Sequence, residues 1–293
     1  MEPEIVVDYR NEVGEGPMWH PKEQRFYWAD ILKGLIYRYD PRTGEHGLIY
    51  DHGSPTSGFT FQEDGGMLLF LEEGGIALLR DGELSYLVEK LPGEEGHRFN
   101  DVIADPAGRV FAGTMSRLSD HGPAPGTYGR LYRVDTDGSV TQILDHVGVS
   151  NGLGFSPDRR HMYFTDSVAR KIYIFDYDQE SGDISDQRVF VETPDGEGLP
   201  DGMTVDSHGY VWSARAMYAA LYRYTPDGKE DRSIHFPANL VSSLMFGGVD
   251  LTDIYVTTIG GEDRAQHGPG AGALFRLNLG IKGMPEFYSR IKL

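Results

Sequence analysis

The chain has 293 residues, 39% of them hydrophobic and 12% aromatic, which is enough apolar material for a sizeable core and excludes a globally disordered chain. Lys and Arg number 27 against 45 Asp and Glu, and the resulting net charge of −18 argues against nucleic acid or an anionic membrane surface as the main partner. Cysteine is absent, so disulfides, thiolate catalysis and thiolate-held metals are excluded.

The N-terminus, Met1-Glu2-Pro3-Glu4, is acidic and lacks the basic-then-apolar pattern of a secretory leader. No apolar run is long enough to span a bilayer, so the expectation is a cytoplasmic protein, a monomer or homo-oligomer with neither membrane nor nucleic acid as partner. The 38 glycines and the scarcity of helical periodicity favour many short strands joined by tight turns.

The first β-rich run is Phe26-Tyr27-Trp28-Ala29-Asp30, followed by a second at 34–40 and a turn at 41–44. Comparable pairs recur at 67–71 with 75–79, 110–113 with 130–135, 162–166 with 171–176, 211–214 with 220–224, and 254–257 with 273–277. A hairpin turn precedes each pair. Six positions before Pro21, Glu63, Pro106, Pro157, Ser207 and Val249 stand Glu15, Ser57, Asn100, Asn151, Asp201 and Ser243, spaced 42, 43, 51, 50 and 42 residues apart. That is the period of four-stranded propeller blades. The expected fold is all-β, a six-bladed β-propeller forming a single domain over 1–293. A terminal strand, at either 5–9 or 287–291, closes the ring.

In this register the six polar residues surround one mouth of the central channel. Each second strand runs antiparallel and returns to the same mouth, so Asp30, Glu72, Asp166 and Arg215 are expected at its rim. Two long Gly/Pro-rich connections, 116–128 and 260–272, read as walls or lids over the opening, or as surface insertions.

Glu15, Asn151 and Asp201 offer two carboxylates and an amide oxygen, a set suited to Ca²⁺, Mg²⁺ or Mn²⁺ with water completing the shell. Zinc more often takes nitrogen or sulfur, and no HExxH-like signature appears. Each residue has a plainer alternative: Glu15 as an exposed turn carboxylate, Asn151-Gly152 and Asp201-Gly202 as simple turns. The shared register favours the metal site.

The chain resembles the SMP-30/gluconolactonase (regucalcin-like) family over nearly its whole length. The resemblance runs through Gly14-Glu15-Gly16-Pro17-Met18-Trp19, Arg98-Phe99-Asn100-Asp101, Ala112-Gly113-Thr114-Met115, Ser150-Asn151-Gly152-Leu153, Pro200-Asp201-Gly202-Met203 and Phe246-Gly247-Gly248. It implies a six-bladed propeller that hydrolyses sugar lactones with one divalent cation (Ca, Mg, Mn, Zn or Fe). It also implies Glu15, Asn151 and Asp201 as metal ligands, Asp201 as general base, and Arg98 and Asn100 as substrate contacts. Animal members of that family carry an acidic residue a few positions after Gly-Thr-Met. Here Leu118 stands at that spacing, with Arg117, Asp120 and His121 the residues available to substitute.

Lactone opening fits these residue types. A bound cation polarises a carbonyl and acidifies water, a carboxylate such as Asp201 accepts the proton, and Arg98 supplies fixed positive charge and several donors. The alternative for Arg98 is a rim salt bridge to Glu94 or Glu95. Two rival functions remain: a broader metal-dependent esterase or lactonase, and a non-catalytic calcium-binding propeller. Histidines 20, 97, 121, 208 and 267 are scattered and read as surface or satisfied residues, no Gly-x-Ser-x-Gly elbow appears, and Trp19, Trp28 and Trp212 read as blade packing.

Overall fold

The structure, a computed structural model, describes residues 2–117 and 127–292. Six four-stranded antiparallel sheets take up the chain in order and form the six blades of a β-propeller. Blade 1 comprises Gly14–His20, Arg25–Asp30, Leu35–Tyr39 and His46–Asp51. Blade 2 comprises Thr56–Phe61, Met67–Leu71, Ile76–Arg80 and Glu83–Val88. Blade 3 is built from His97–Ala104, Val110–Ser116, Gly129–Val134 and Val140–Val147. Blade 4 is built from Ser150–Phe155, His161–Asp166, Lys171–Tyr177 and Ile184–Glu192. Blade 5 holds Leu199–Val205, Val211–Ala216, Ala220–Tyr224 and Glu230–His235. In blade 6, Val241–Gly247, Asp253–Thr258 and Leu274–Asn278 are completed by the N-terminal strand Glu4–Val7.

Burial falls from the axis outward. The inner strand Ser150–Phe155 is buried at every position, whereas the outermost strand of the same blade, Ile184–Glu192, is mostly exposed. Between blades the contacts are aromatic: Trp19 of blade 1 stacks on Tyr255 of blade 6 at 6.3 Å, and Phe61 of blade 2 meets Tyr27 edge-on at 5.1 Å. Each such buried side chain contributes roughly 1.5–3 kcal/mol through area removed from water. The indoles of Trp28 and Trp212 are buried and donate to Asn11 Oδ1 (2.9 Å) and Asp206 Oδ2 (3.1 Å), so all three tryptophans pack the blades.

Every inner strand carries an irregularity near its start. Asn151 pairs with Thr165 but Leu153 with Phe164, so the inner strand spends one residue more than its partner. The same one-residue excess lies between Glu15 and Met18, Thr56 and Phe59, Phe99 and Val102, Pro200 and Met203, and Val241 and Ser243. A bulge of this kind re-aims side chains that strict alternation would send to opposite faces. Glycine makes the crowding tolerable. A Cβ on Gly152 would lie 2.5 Å from Met203 N, and one on Gly202 would lie 2.1 Å from Ser243 Oγ. Asn151-Gly152 and Asp201-Gly202 are therefore strand residues at close blade contacts rather than turns.

The N-terminal strand closes the ring, with Ile5 opposite Phe275. The C-terminal segment does something else. It runs across the face opposite the mouth and touches the first hairpin turn or inner strand of all six blades. Gly283 N donates to Leu251 O (2.8 Å), Ser207 N to Lys282 O (2.9 Å), Ser289 N to Phe61 O (2.9 Å) and Arg290 N to Gly108 O (2.8 Å). Phe287 packs on Phe155, and Lys22 lies over the Tyr288 ring at 5.2 Å. This strap aims Glu286 into the channel, a shaft with only about 40 Å³ of free space, lined by Phe59, Val102, Leu153, Met203 and Met245.

Burial in that apolar shaft pushes the Glu286 carboxyl up to about 7, from an ordinary 4.5. The folded state thus holds a proton that the unfolded chain releases, and stability falls as pH rises from about 4.5 through 7. Glu286→Gln removes this penalty. Thermal melts followed by circular dichroism should show the variant about 2–4 °C more stable than wild type at pH 8, with the gap closing below pH 5.

Candidate active site at the channel mouth

The bulges gather the mouth residues. Glu15 and Asn151 open the irregular segment of blades 1 and 4, while Asn100 and Asp201 sit inside it in blades 3 and 5. All four are buried, and so is Arg98. One hydrogen-bonded chain links three blades: Arg98 Nη1 donates to Asn100 Oδ1 (2.6 Å), and Asn100 Nδ2 donates to Asn151 Oδ1 (2.7 Å) and Ser150 O (2.7 Å). Asn151 Nδ2 donates to Ser167 Oγ (2.8 Å), whose hydroxyl donates to Pro200 O (2.7 Å), the residue before Asp201. The amide of Asn151 is thereby oriented, with its oxygen turned toward Asn100.

The remaining mouth positions behave differently. The Ser57 hydroxyl donates to Phe99 O of the next blade and staples blade 2 to blade 3, and Ser243 lies along the shaft. Of the four residues expected at the rim, Glu72 lines the open cavity beside Arg98. Asp30 accepts from the backbone N–H of Glu12 and Val13 (2.9 and 3.0 Å), and Asp166 accepts from Gly148 and Val149 (2.9 and 3.2 Å). These two acids brace the segments that lead into Glu15 and Asn151. Arg215 is almost fully buried over the Tyr222 ring at 4.3 Å.

Arg98 does not pair with Glu94, which instead accepts from Arg130 Nη1 and Tyr132 OH at 2.7 Å each. His97 is neither a surface nor a satisfied residue: it is buried, neither ring nitrogen has a hydrogen-bond partner among the described residues, and its Nδ1 lies 3.9 Å from Glu94 Oε2. The 260–272 connection folds down onto the chain, with Gly260 N on Asn11 O and Gly261 N on Glu12 O (both 3.0 Å). None of its residues lines the cavity beside Arg98. Within the other long connection, Arg117 lines that cavity; Leu118, Asp120 and His121 lie outside the described residues.

The SMP-30/gluconolactonase/LRE-like region model matches residues 13–260, which spans all six bulged inner strands. The chain belongs to this family. The pentonolactonase XacC of Haloferax volcanii is 45% identical, covering 98% of both chains. The 6-deoxy-6-sulfogluconolactonase of Pseudomonas putida is 34% identical over 96% of each. Among solved structures, a calcium-binding protein, regucalcin, from Agrobacterium tumefaciens superposes with a TM-score of 0.90 at 25% identity, covering 98% of this chain and 97% of that one.

In this SMP-30-family chain a third carboxyl joins the site, one that the sequence reasoning passed over. Asp101 follows Asn100 directly, and alternation would send it to the far face of the strand. The bulge between Phe99 and Val102 instead turns it into the top of the shaft. Its carboxyl is pushed up to about 7, by burial first, with Arg98 opposing. Glu15 is raised well above the ordinary carboxylate range by burial and then by Asp201 and Asp101, and Asp201 by burial and then by Asp101. Arg98 is lowered to about 10 by burial, against the pull of Glu15, Asp101 and Asp201. With all four groups ionised, three carboxylates face one guanidinium, and the cluster is two positive charges short.

That deficit, together with the oxygen-only donors, fits a divalent cation. Among the described residues no group of three His, Cys, Asp or Glu side chains is placed to hold a metal ion, and the oxygen donors at the mouth include the Asn151 amide beside the carboxyls of Glu15 and Asp201. The orientation of that amide rests on Ser167. Ser167→Ala should weaken Mn²⁺ binding about tenfold, measured by calorimetry, while the far-ultraviolet circular dichroism stays that of wild type.

Proposed function

We propose that the protein is a divalent-metal-dependent lactonase that opens sugar-derived lactones to aldonic acids. The carrying observation is the buried mouth cluster, where Glu15, Asp101 and Asp201 outnumber Arg98. The names of the lactonase relatives support the substrate class. Glu15, Asn151 and Asp201 are the proposed ligands for one cation, with Ca, Mg, Mn, Zn or Fe as candidates. When bound, the cation supplies Lewis acidity toward the lactone carbonyl and a water molecule.

The chain's own groups do the rest. Water attacks the carbonyl carbon, its proton passes to an Asp201 carboxylate oxygen, and the ring C–O bond breaks. The same proton then returns to the departing ring oxygen, giving the open-chain hydroxyl and a carboxylic acid that ionises. General-base assistance of this kind contributes about 10²–10⁴-fold. Arg98 has one nitrogen committed to Asn100 and Phe99 O, yet it also lines the open cavity, so its other N–H groups face substrate hydroxyls or a developing oxyanion. Asn100 holds Arg98 and Asn151 in register. The cavity wall carries Glu72, Arg98 and Arg117 beside apolar Leu32, Pro55 and Met115, a lining that speaks for a hydroxylated ring over a plain alkyl ester.

Metal-stripped protein assayed on gluconolactone, xylonolactone and arabinonolactone with cations added back singly tests the reading, each rate corrected for spontaneous opening. Activity should return with at least one cation and fall by at least about 100-fold in Asp201→Ala and Glu15→Ala. Equal rates with and without cation in wild type, or full activity in both variants, would refute it.

The raised carboxyls add a pH signature. Glu15 and Asp201 hold protons above the ordinary carboxylate range in the cation-free protein, so binding must expel them. Affinity should therefore rise with pH, and calorimetry near pH 6 in two buffers of different ionisation enthalpy should show proton release that shrinks in Glu15→Gln.

A further inference from the structure

Beside the buried cluster the mouth widens into a hollow of about 540 Å³, walled by Leu32, Pro55, Glu72, Arg98, Met115 and Arg117. Arg98 belongs to both places: its Nη1 is tied to Asn100 in the cluster, and its side chain forms one end of the hollow. A lactone whose carbonyl lies at Asp201 and Arg98 must therefore project its far carbons into this space. Part of the hollow's wall is an ion pair between blades. Glu72, just past the second strand of blade 2, takes a hydrogen bond from Arg117, just past the second strand of blade 3. Both ends are held from behind: the Glu72 backbone bridges to Arg98, and Arg117 N donates to Gly96 O (3.0 Å). The side chains remain reachable, 25% exposed for Glu72 and 45% for Arg117.

The charges in this hollow are unevenly committed. Arg98 is opposed by Glu15, Asp101 and Asp201 from the cluster, whereas Arg117 has Glu72. Without Glu72, Arg117 would be a guanidinium facing an open cavity, the arrangement that captures carboxylates, sulfonates and phosphates. With Glu72 in place, an anionic group arriving there must break the pair and then sit beside a carboxylate. Resting on lactonase chemistry at the mouth, we propose that Glu72, by neutralising Arg117, makes this hollow select sugar lactones with a neutral far end and refuse those carrying a second anionic group. Selectivity of this kind comes from a repulsive element as much as an attractive one.

The test compares gluconolactone with glucarolactone, which carries a terminal carboxylate, as a ratio of kcat/KM within each protein in saturating cation. Glu72→Gln should raise the glucarolactone-to-gluconolactone ratio about fivefold, the size of effect a half-exposed ion pair supports. The change should lie mainly in KM and shrink as salt is added. Adding Arg117→Gln to Glu72→Gln should return the ratio to near the wild-type value, which a merely structural role for the pair would not do. A ratio unchanged in Glu72→Gln, with gluconolactone still opened by wild type, overturns the subsite and leaves the lactonase standing. Wild-type protein that opens neither lactone with any cation overturns both.

Discussion

The molecule depends on one repeated irregularity: each inner strand spends one residue more than its neighbour where it enters the ring. A regular strand would point alternate side chains into the flanking blades and leave the axis lined by every second residue. The extra residue breaks that alternation at one level in all six blades, so polar groups converge at the mouth while the strand below returns to apolar packing. Crowding at this level is severe enough that a Cβ on Gly152 or Gly202 would collide with the backbone or side chain of the next blade. The site and this close packing between blades thus share one level of the fold.

Convergence has an electrostatic cost. Glu15, Asp101 and Asp201 lie in a buried cluster with only Arg98 against them, and each carboxyl is driven toward its protonated form. Such a cluster weakens the empty protein, and a bound cation would relieve the repulsion. The brace around it is uncharged where it can be: the Asn100, Asn151 and Ser167 chain crosses three blades with neutral hydrogen bonds. Asp30 and Asp166 carry charge, and they spend it on backbone amides of the incoming segments.

The two chain ends have separate tasks. The N-terminal strand supplies the fourth strand of blade 6 and removes the seam of the ring. The C-terminal segment straps the opposite face, bonded to turns or strands of several blades, and drops Glu286 into the shaft. The shaft is therefore narrow and acid-bearing at both ends, with Asp101 toward the mouth and Glu286 at the strap. The wide hollow beside Arg98 is large enough for a sugar-sized ligand.

Much of this was legible in the chain itself. The six-fold spacing from Glu15 to Ser243, the β-rich pairs and the hairpin turns follow from local propensity and period, which need no knowledge of distant contacts. The same spacing placed Glu15, Asn100, Asn151 and Asp201 at one level of the ring, and that level is where they stand. Tertiary structure alone decided the rest. Asp101 joins the cluster because a bulge overrides alternation, and no residue-level signal marks which strand position will bulge. Asp30 and Asp166 became braces for the backbone entering their own blades, and Glu72 met Arg117 because loops from different blades meet only once the ring closes. The use of the N-terminal strand for closure and of the C-terminal segment as a strap was open in the sequence, since both are short β-rich runs. What separates them is which edge of the closed ring each can reach, a property of the whole circle and not of any stretch of chain.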